Sequence, residues 1–150
     1  MAGRDTPQPA SDDPGSKGPA EGRTRRRKPA AWFGSLNQLD FDVDFFERLL
    51  ARRGDSVEVL RVLAELVSKK GLVTRAVDLD RTLVELQPDD YLARSNLACS
   101  LARAGRPDEA IDSLSRAILL GYDDLAHMES DPDLESLQDH PDFRALVDGE

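Results

Sequence analysis

Apolar positions between residues 41 and 147 recur at spacings of three and four, and glycine or proline interrupts them at nearly even intervals. In FDVDFFERLLARRG, residues 41–54, Val43, Phe46, Leu49 and Leu50 form one helical stripe. Asp40 and Asp42 favour the start of that helix, and Arg52, Arg53 and Gly54 its end. Gly54, Gly71, Pro88, Gly105 and Gly121 then follow at intervals of 17, 17, 17 and 16 residues. Glycine readily takes the left-handed conformation that ends a helix, and proline cannot continue one. Each interval therefore holds a helix of about 13 residues and a tight turn.

Two intervals make 34 residues, and a shift of 34 aligns the chain with itself. Leu63 falls on Leu97, Ala64 on Ala98, Val67 on Leu101, Gly71 on Gly105, Ala76 on Ala110 and Asp78 on Asp112. The first helix of each unit carries a stripe of Leu60, Leu63, Ala64 and Val67, then of Leu97, Ala98 and Leu101. The second helix adds Ala76, Leu79, Leu83 and Leu86, then Ala110, Leu114, Ala117 and Ile118. Small residues at 64, 76, 98 and 110 let paired helices approach closely, and no strand-like alternation of useful length occurs. The pattern predicts an all-α chain of antiparallel helix pairs. One such pair cannot bury its own apolar face, so neighbouring units are required.

A 34-residue unit of two helices has the length of the tetratricopeptide repeat, and residues 55–88 and 89–122 resemble two tandem copies. The second copy, NLACSLARAGRPDEAIDSLSRAI, matches through Leu97, Ala98, Gly105, Ala110 and Ala117; the first matches through Leu63, Ala64, Gly71, Ala76 and Pro88. The signature aromatics of the first helix are replaced by Leu60, Val67, Arg94 and Leu101, and Asp80 stands at a position usually filled by a large apolar residue. Residues 41–54 resemble the second helix of a preceding repeat. Residues 123–147 resemble the closing segment that follows bacterial repeats of this kind, with short helices expected around 133–138 and 141–147. The resemblance implies a helix-turn-helix solenoid over 32–147 that binds a partner and performs no catalysis. Two repeats, a half-repeat and a cap lie close to the minimum such arrays need, and self-association is expected if they fall short.

Composition divides the chain in two. Residues 1–31 hold five prolines and no large apolar residue after Met1, which predicts a disordered leader. That segment carries seven basic and four acidic side chains, a balance of +3, which leaves −12 for the rest of a chain whose net charge is −9. An acidic body argues against a nucleic-acid-binding face on the helical domain. Arg25, Arg26, Arg27 and Lys28 of the leader offer the alternative function, an adaptor whose tail holds nucleic acid or anionic membrane; a solubilising leader is the plainer reading. No run of apolar residues is long enough to span a membrane, and the amino terminus lacks the apolar core of a signal peptide. Cytoplasmic residence is the simplest expectation, and the single Cys99 agrees with it.

Motifs for chemistry are absent from the sequence. No phosphate-binding loop occurs, and His127 and His140 stand 13 residues apart outside any zinc-ligand spacing. Asp40, Asp42 and Asp44 alternate as in a calcium loop, but Phe45 and Ala51 replace the glycine and glutamate such a loop requires. Asp131, Asp133 and Glu135 read as helix-start acids. Neither a metal nor a cofactor is expected, and Cys99 reads as packing.

What remains is a surface. By the resemblance, the first helices line a concave groove for an extended peptide or a partner helix. Its lining would be Glu58, Arg61, Val62, Glu65 and Lys69 from one unit, and Leu92, Ser95, Asn96, Cys99 and Arg103 from the next. An amide at Asn96 can pair with both N–H and C=O of a peptide backbone, and Arg61, Lys69 and Arg103 would form a basic strip. The alternative is an ordinary solvated helix surface with Glu65 and Lys69 as an (i, i+4) ion pair.

Overall fold

The computed structural model describes residues 37–149, within which every regular element is helical. The elements are α1 (Gln38–Arg52), α2 (Val57–Lys69), α3 (Val73–Leu86), α4 (Tyr91–Arg103), α5 (Pro107–Leu119), α6 (Leu125–Ser130), a 3-10 helix (Pro132–Leu137) and α7 (Pro141–Asp148). The leader expected over residues 1–31, with its basic run, and the expected start of order at Trp32 lie outside the described residues. No described helix is long and apolar enough to cross a membrane.

Local chemistry explains where the helices begin and end. Ser56 caps α2 by accepting from the Val59 N–H, and the Asp90 carboxylate caps α4 by accepting from Leu92 and Ala93. Pro107 and Pro141 open α5 and α7, where their missing N–H costs nothing. Three helices end alike. The N–H of Leu72, Arg106 and Tyr122 returns to the carbonyl of Val67, Leu101 and Ala117 at 2.9, 2.9 and 3.0 Å, with a left-handed glycine between. Such a reverse turn satisfies carbonyls that the helix leaves open. Gly54 is the exception: its φ is not positive, and the chain passes from α1 to α2 through a turn in which Ser56 N–H bonds the Arg53 carbonyl.

Gly105 has φ +76°, and a Cβ there would meet open space. Gly105→Ala should therefore cost about 1–2 kcal/mol through backbone strain alone, read as a lower urea midpoint with an unchanged m-value. A neutral result would mean that the turn relaxes.

From α1 to α5 each helix packs mainly on its neighbours in the chain, and the 3-10 helix folds back onto α4. Leu60, Leu63, Ala64, Val67, Ala76, Leu79 and Leu83 form one buried cluster under α1, whose Val43, Phe46 and Leu50 cover it in part. Ala98, Ala110 and Ala117 are 0% exposed, which is how helices with so few aromatic residues between them achieve close contact. Val77 crosses into the second cluster, which runs through α4 and α5 to Met128, Leu134, Leu137 and Phe143. Long-range ion pairs tie alternate helices together. Arg75 of α3 donates two bonds of 2.8 Å to Glu47 of α1, and Arg81 of α3 lies 2.6 Å from Glu109 of α5.

Three features depart from the reading of the sequence. Leu86, on the expected apolar stripe, is 40% exposed because α3 ends there. The helix α6 leaves no sign in the apolar spacing; Asp124 caps it, and Met128, with Leu125 partly buried beside it, anchors it to the core. Tyr122, off the expected apolar stripes, is buried with its ring edge-to-face on Tyr91 at 5.9 Å.

Candidate functional site

Because α2 and α4 lie side by side over α3, their facing surfaces enclose a cleft of about 420 Å³. Its lining includes Arg61, Glu65 and Lys69 from α2 with Asn96 and Cys99 from α4, five residues that the resemblance places on one face. The sixth, Arg103, stands at the end of the cleft, where its guanidinium donates to the Ser68 hydroxyl and, at 3.1 Å, to the Ser68 carbonyl. It thereby gives the Ser68 carbonyl, which also accepts the Gly71 N–H, a second partner at the end of α2, where the helix dipole favours a cation. Glu58, Val62, Leu92 and Ser95 are not part of the lining.

The cations are engaged within the chain. Arg61 donates to the Asp90 carboxylate at 2.7 Å, and Lys69 lies 3.3 Å from Glu65. With Arg103 bound to Ser68, each of the three cations has a partner within the chain. Sequence spacing could not reveal this for Arg61, because Asp90 arrives from the turn before α4, 29 residues away. The amide of Asn96 is exposed and makes no hydrogen bond among the described residues.

The floor and far wall add residues that the sequence did not point to as site members: Asp80 and Leu83 from α3, Ser100 from α4, and Asp131 and Asp133 from the cap. Asp80 is 5% exposed, and its Oδ2 accepts from the Ser100 hydroxyl at 2.6 Å. Burial pushes its carboxyl up to about 6, and the Ser100 hydroxyl opposes this only in part. The one signal available in the sequence is a carboxylate on an apolar stripe.

Asp131 caps the 3-10 helix through the Asp133 N–H, while its other oxygen lies 3.7 Å from the Cys99 thiol and 3.7 Å from His127 Nε2. Ligand atoms of Cys99, Asp131 and Asp133 fall within 4.8 Å of one another. Burial first, and then the carboxylates of Asp131 and Asp133, drive the thiol well above its usual range. A thiol held protonated is a poor nucleophile. His127 is exposed on the cap, and His140 caps α7 by accepting from the Asp142 N–H at its Nδ1.

A second concavity of about 450 Å³ lies among α3, α4 and α5. Several of its charges are paired: Glu109 takes both Arg81 and Arg106, which hold its carboxyl below the usual range, and Arg116 pairs with Asp112. No buried acid without a counterion opens onto it.

No family model matches the chain. A match of 83 aligned positions, covering 53% of this chain, is 29% identical to a chloroplastic protein of Arabidopsis thaliana. The match spans 25% of the Arabidopsis protein.

Proposed function

We propose that this chain is a tetratricopeptide-type binding module, cytoplasmic and non-catalytic, which takes an extended peptide in the cleft between α2 and α4. The observation that carries the reading is the convergence of Arg61, Glu65, Lys69, Asn96 and Cys99 on one cleft, with the Asn96 amide unengaged. Support for the repeat family comes from the 34-residue self-alignment and from the helix ends at Leu72 and Arg106, which bond back identically 34 residues apart. Support for a non-catalytic role comes from the protonated Cys99 and from two histidines that serve the cap. A rigid surface with an open amide beside charged side chains suits main-chain recognition of an extended segment.

The test is a peptide selection on the full chain, followed by titration of the selected peptides monitored by amide NMR. Perturbations should cluster on α2 and α4, and Asn96→Trp, at an exposed position, should plug the cleft and weaken binding at least about 10-fold. Perturbations elsewhere, or binding indifferent to Asn96→Trp, would overturn the reading. Binding that instead follows Arg25, Arg26, Arg27 and Lys28 and falls steeply with salt would point to the adaptor function of the leader.

A further inference from the structure

The cleft has a charge preference, and the inference drawn from it rests on the groove reading above. Its two cations are committed to Asp90 and Glu65, so the carboxylates of Asp80, Asp133 and Asp131, the last of which also takes the Cys99 thiol and lies 3.7 Å from His127 Nε2, set its character. The Asp133 side chain is exposed and has no partner among the described residues. Asp80 is the telling member. It is buried, and no described Lys, Arg or His pairs with it; Ser100 serves one oxygen only. No fully enclosed side-chain oxygen in the described structure lacks a hydrogen bond, so the second Asp80 oxygen keeps access to the cleft whose floor it forms.

The repeat itself shows that this carboxylate is not a packing requirement. At the equivalent positions, 34 residues to either side, the chain places Phe46 and Leu114. Leu114 is fully buried and Phe46 partly so, and both serve the core. Only the middle unit, where the stripe faces the cleft between α2 and α4, carries an acid. An acid buried without a counterion opposes folding, and groups that oppose folding concentrate where a ligand uses them.

We infer that the cleft receives a lysine or arginine side chain of an extended partner peptide, its cationic head seated between Asp80 on the floor and Asp131 and Asp133 on the wall. Asn96 then holds the peptide main chain at the rim. The pocket opposes an acidic partner, because a further carboxylate would meet three already present.

A random dodecapeptide library displayed on phage is selected on the full chain, and enriched peptides are synthesised with each Lys or Arg replaced by norleucine. Affinities are measured by fluorescence anisotropy against the wild type, Asn96→Trp and Asp80→Asn. The expected result is that peptides lost with Asn96→Trp contain one cation whose replacement costs at least about 10-fold in the wild type and less than about 2-fold in Asp80→Asn. Groove-dependent peptides with no cation preference, or with a preference that survives Asp80→Asn, would overturn the cation site and leave the groove intact. If no selected peptide depends on Asn96, both readings fall. Displacement of a groove peptide by micromolar zinc chloride, with no cation preference, would assign the carboxylates to a metal and also overturn the inference.

Discussion

Phe143→Ala is expected to cost about 3–5 kcal/mol, the range for emptying the site of a fully buried phenylalanine. Phe143 is 0% exposed although it sits in an eight-residue helix near the end of the described chain. A helix this short does not hold itself together in water; tertiary burial must hold it. Phe143 shares a core with Leu114, Met128, Leu134 and Leu137, so the cap and α5 stand or fall with it. Domains of this kind have about 5–15 kcal/mol in total, so the loss is a large share. Urea unfolding followed by circular dichroism measures it, and hydrogen exchange should show residues 123–149 losing protection first. Asp139→Ala, at an exposed position beside the same helix, should stay within about 0.5 kcal/mol. A loss below about 1 kcal/mol for Phe143→Ala would mean that the cap contributes little to the fold. A second expected consequence is association of the variant, because the uncapped end of α5 exposes apolar surface.

Asp80→Asn should act in the opposite direction. Between about pH 4 and about pH 6 the folded chain keeps a proton on Asp80 that the unfolded chain has released. Unfolding then releases a proton, so stability falls as pH rises through that window and stays lower above it. Below about pH 4 both states hold the proton, and Asp80 contributes no pH dependence. Asparagine has the same shape, can still accept from Ser100 and has no proton to lose. The variant should therefore match the wild type near pH 4 and exceed it by about 1–3 kcal/mol at pH 7.5. Other titrating groups are common to both proteins, so the difference between their unfolding profiles isolates this carboxyl. Parallel profiles across that range would show that Asp80 is solvated. A more stable Asp80→Asn is also a sound probe of the cation site, since lost binding could not be blamed on lost folding.

The departures from sequence-based expectation share one cause. Leu86 fits the stripe yet is exposed, because a stripe specifies a direction around the helix axis and not where the neighbouring helix stops. Arg61, Lys69 and Arg103 align at helical spacing, as a basic strip would, yet each is engaged with an acid or a helix end. α6 has one buried residue, too few to leave a periodic signal. Asp131 and Asp133 are legible as helix-start acids, and Asp131 does cap the 3-10 helix through the Asp133 N–H. Their place in the cleft depends on the cap folding back against α4, 32 residues earlier.

The helices from α1 to α5, their 34-residue spacing and the small residues where they touch can be read from the order of amino acids. These properties rest on backbone preferences, caps and periodicities that act within a few residues, so they are written where they act. Which charges remain uncommitted is a matter of packing. Folding buried Asp80 against Ser100, engaged the three cations and brought Asp131 and Asp133 to Cys99. Desolvation and ion pairing depend on distances between residues far apart in the chain, and those distances exist only once the helices have packed.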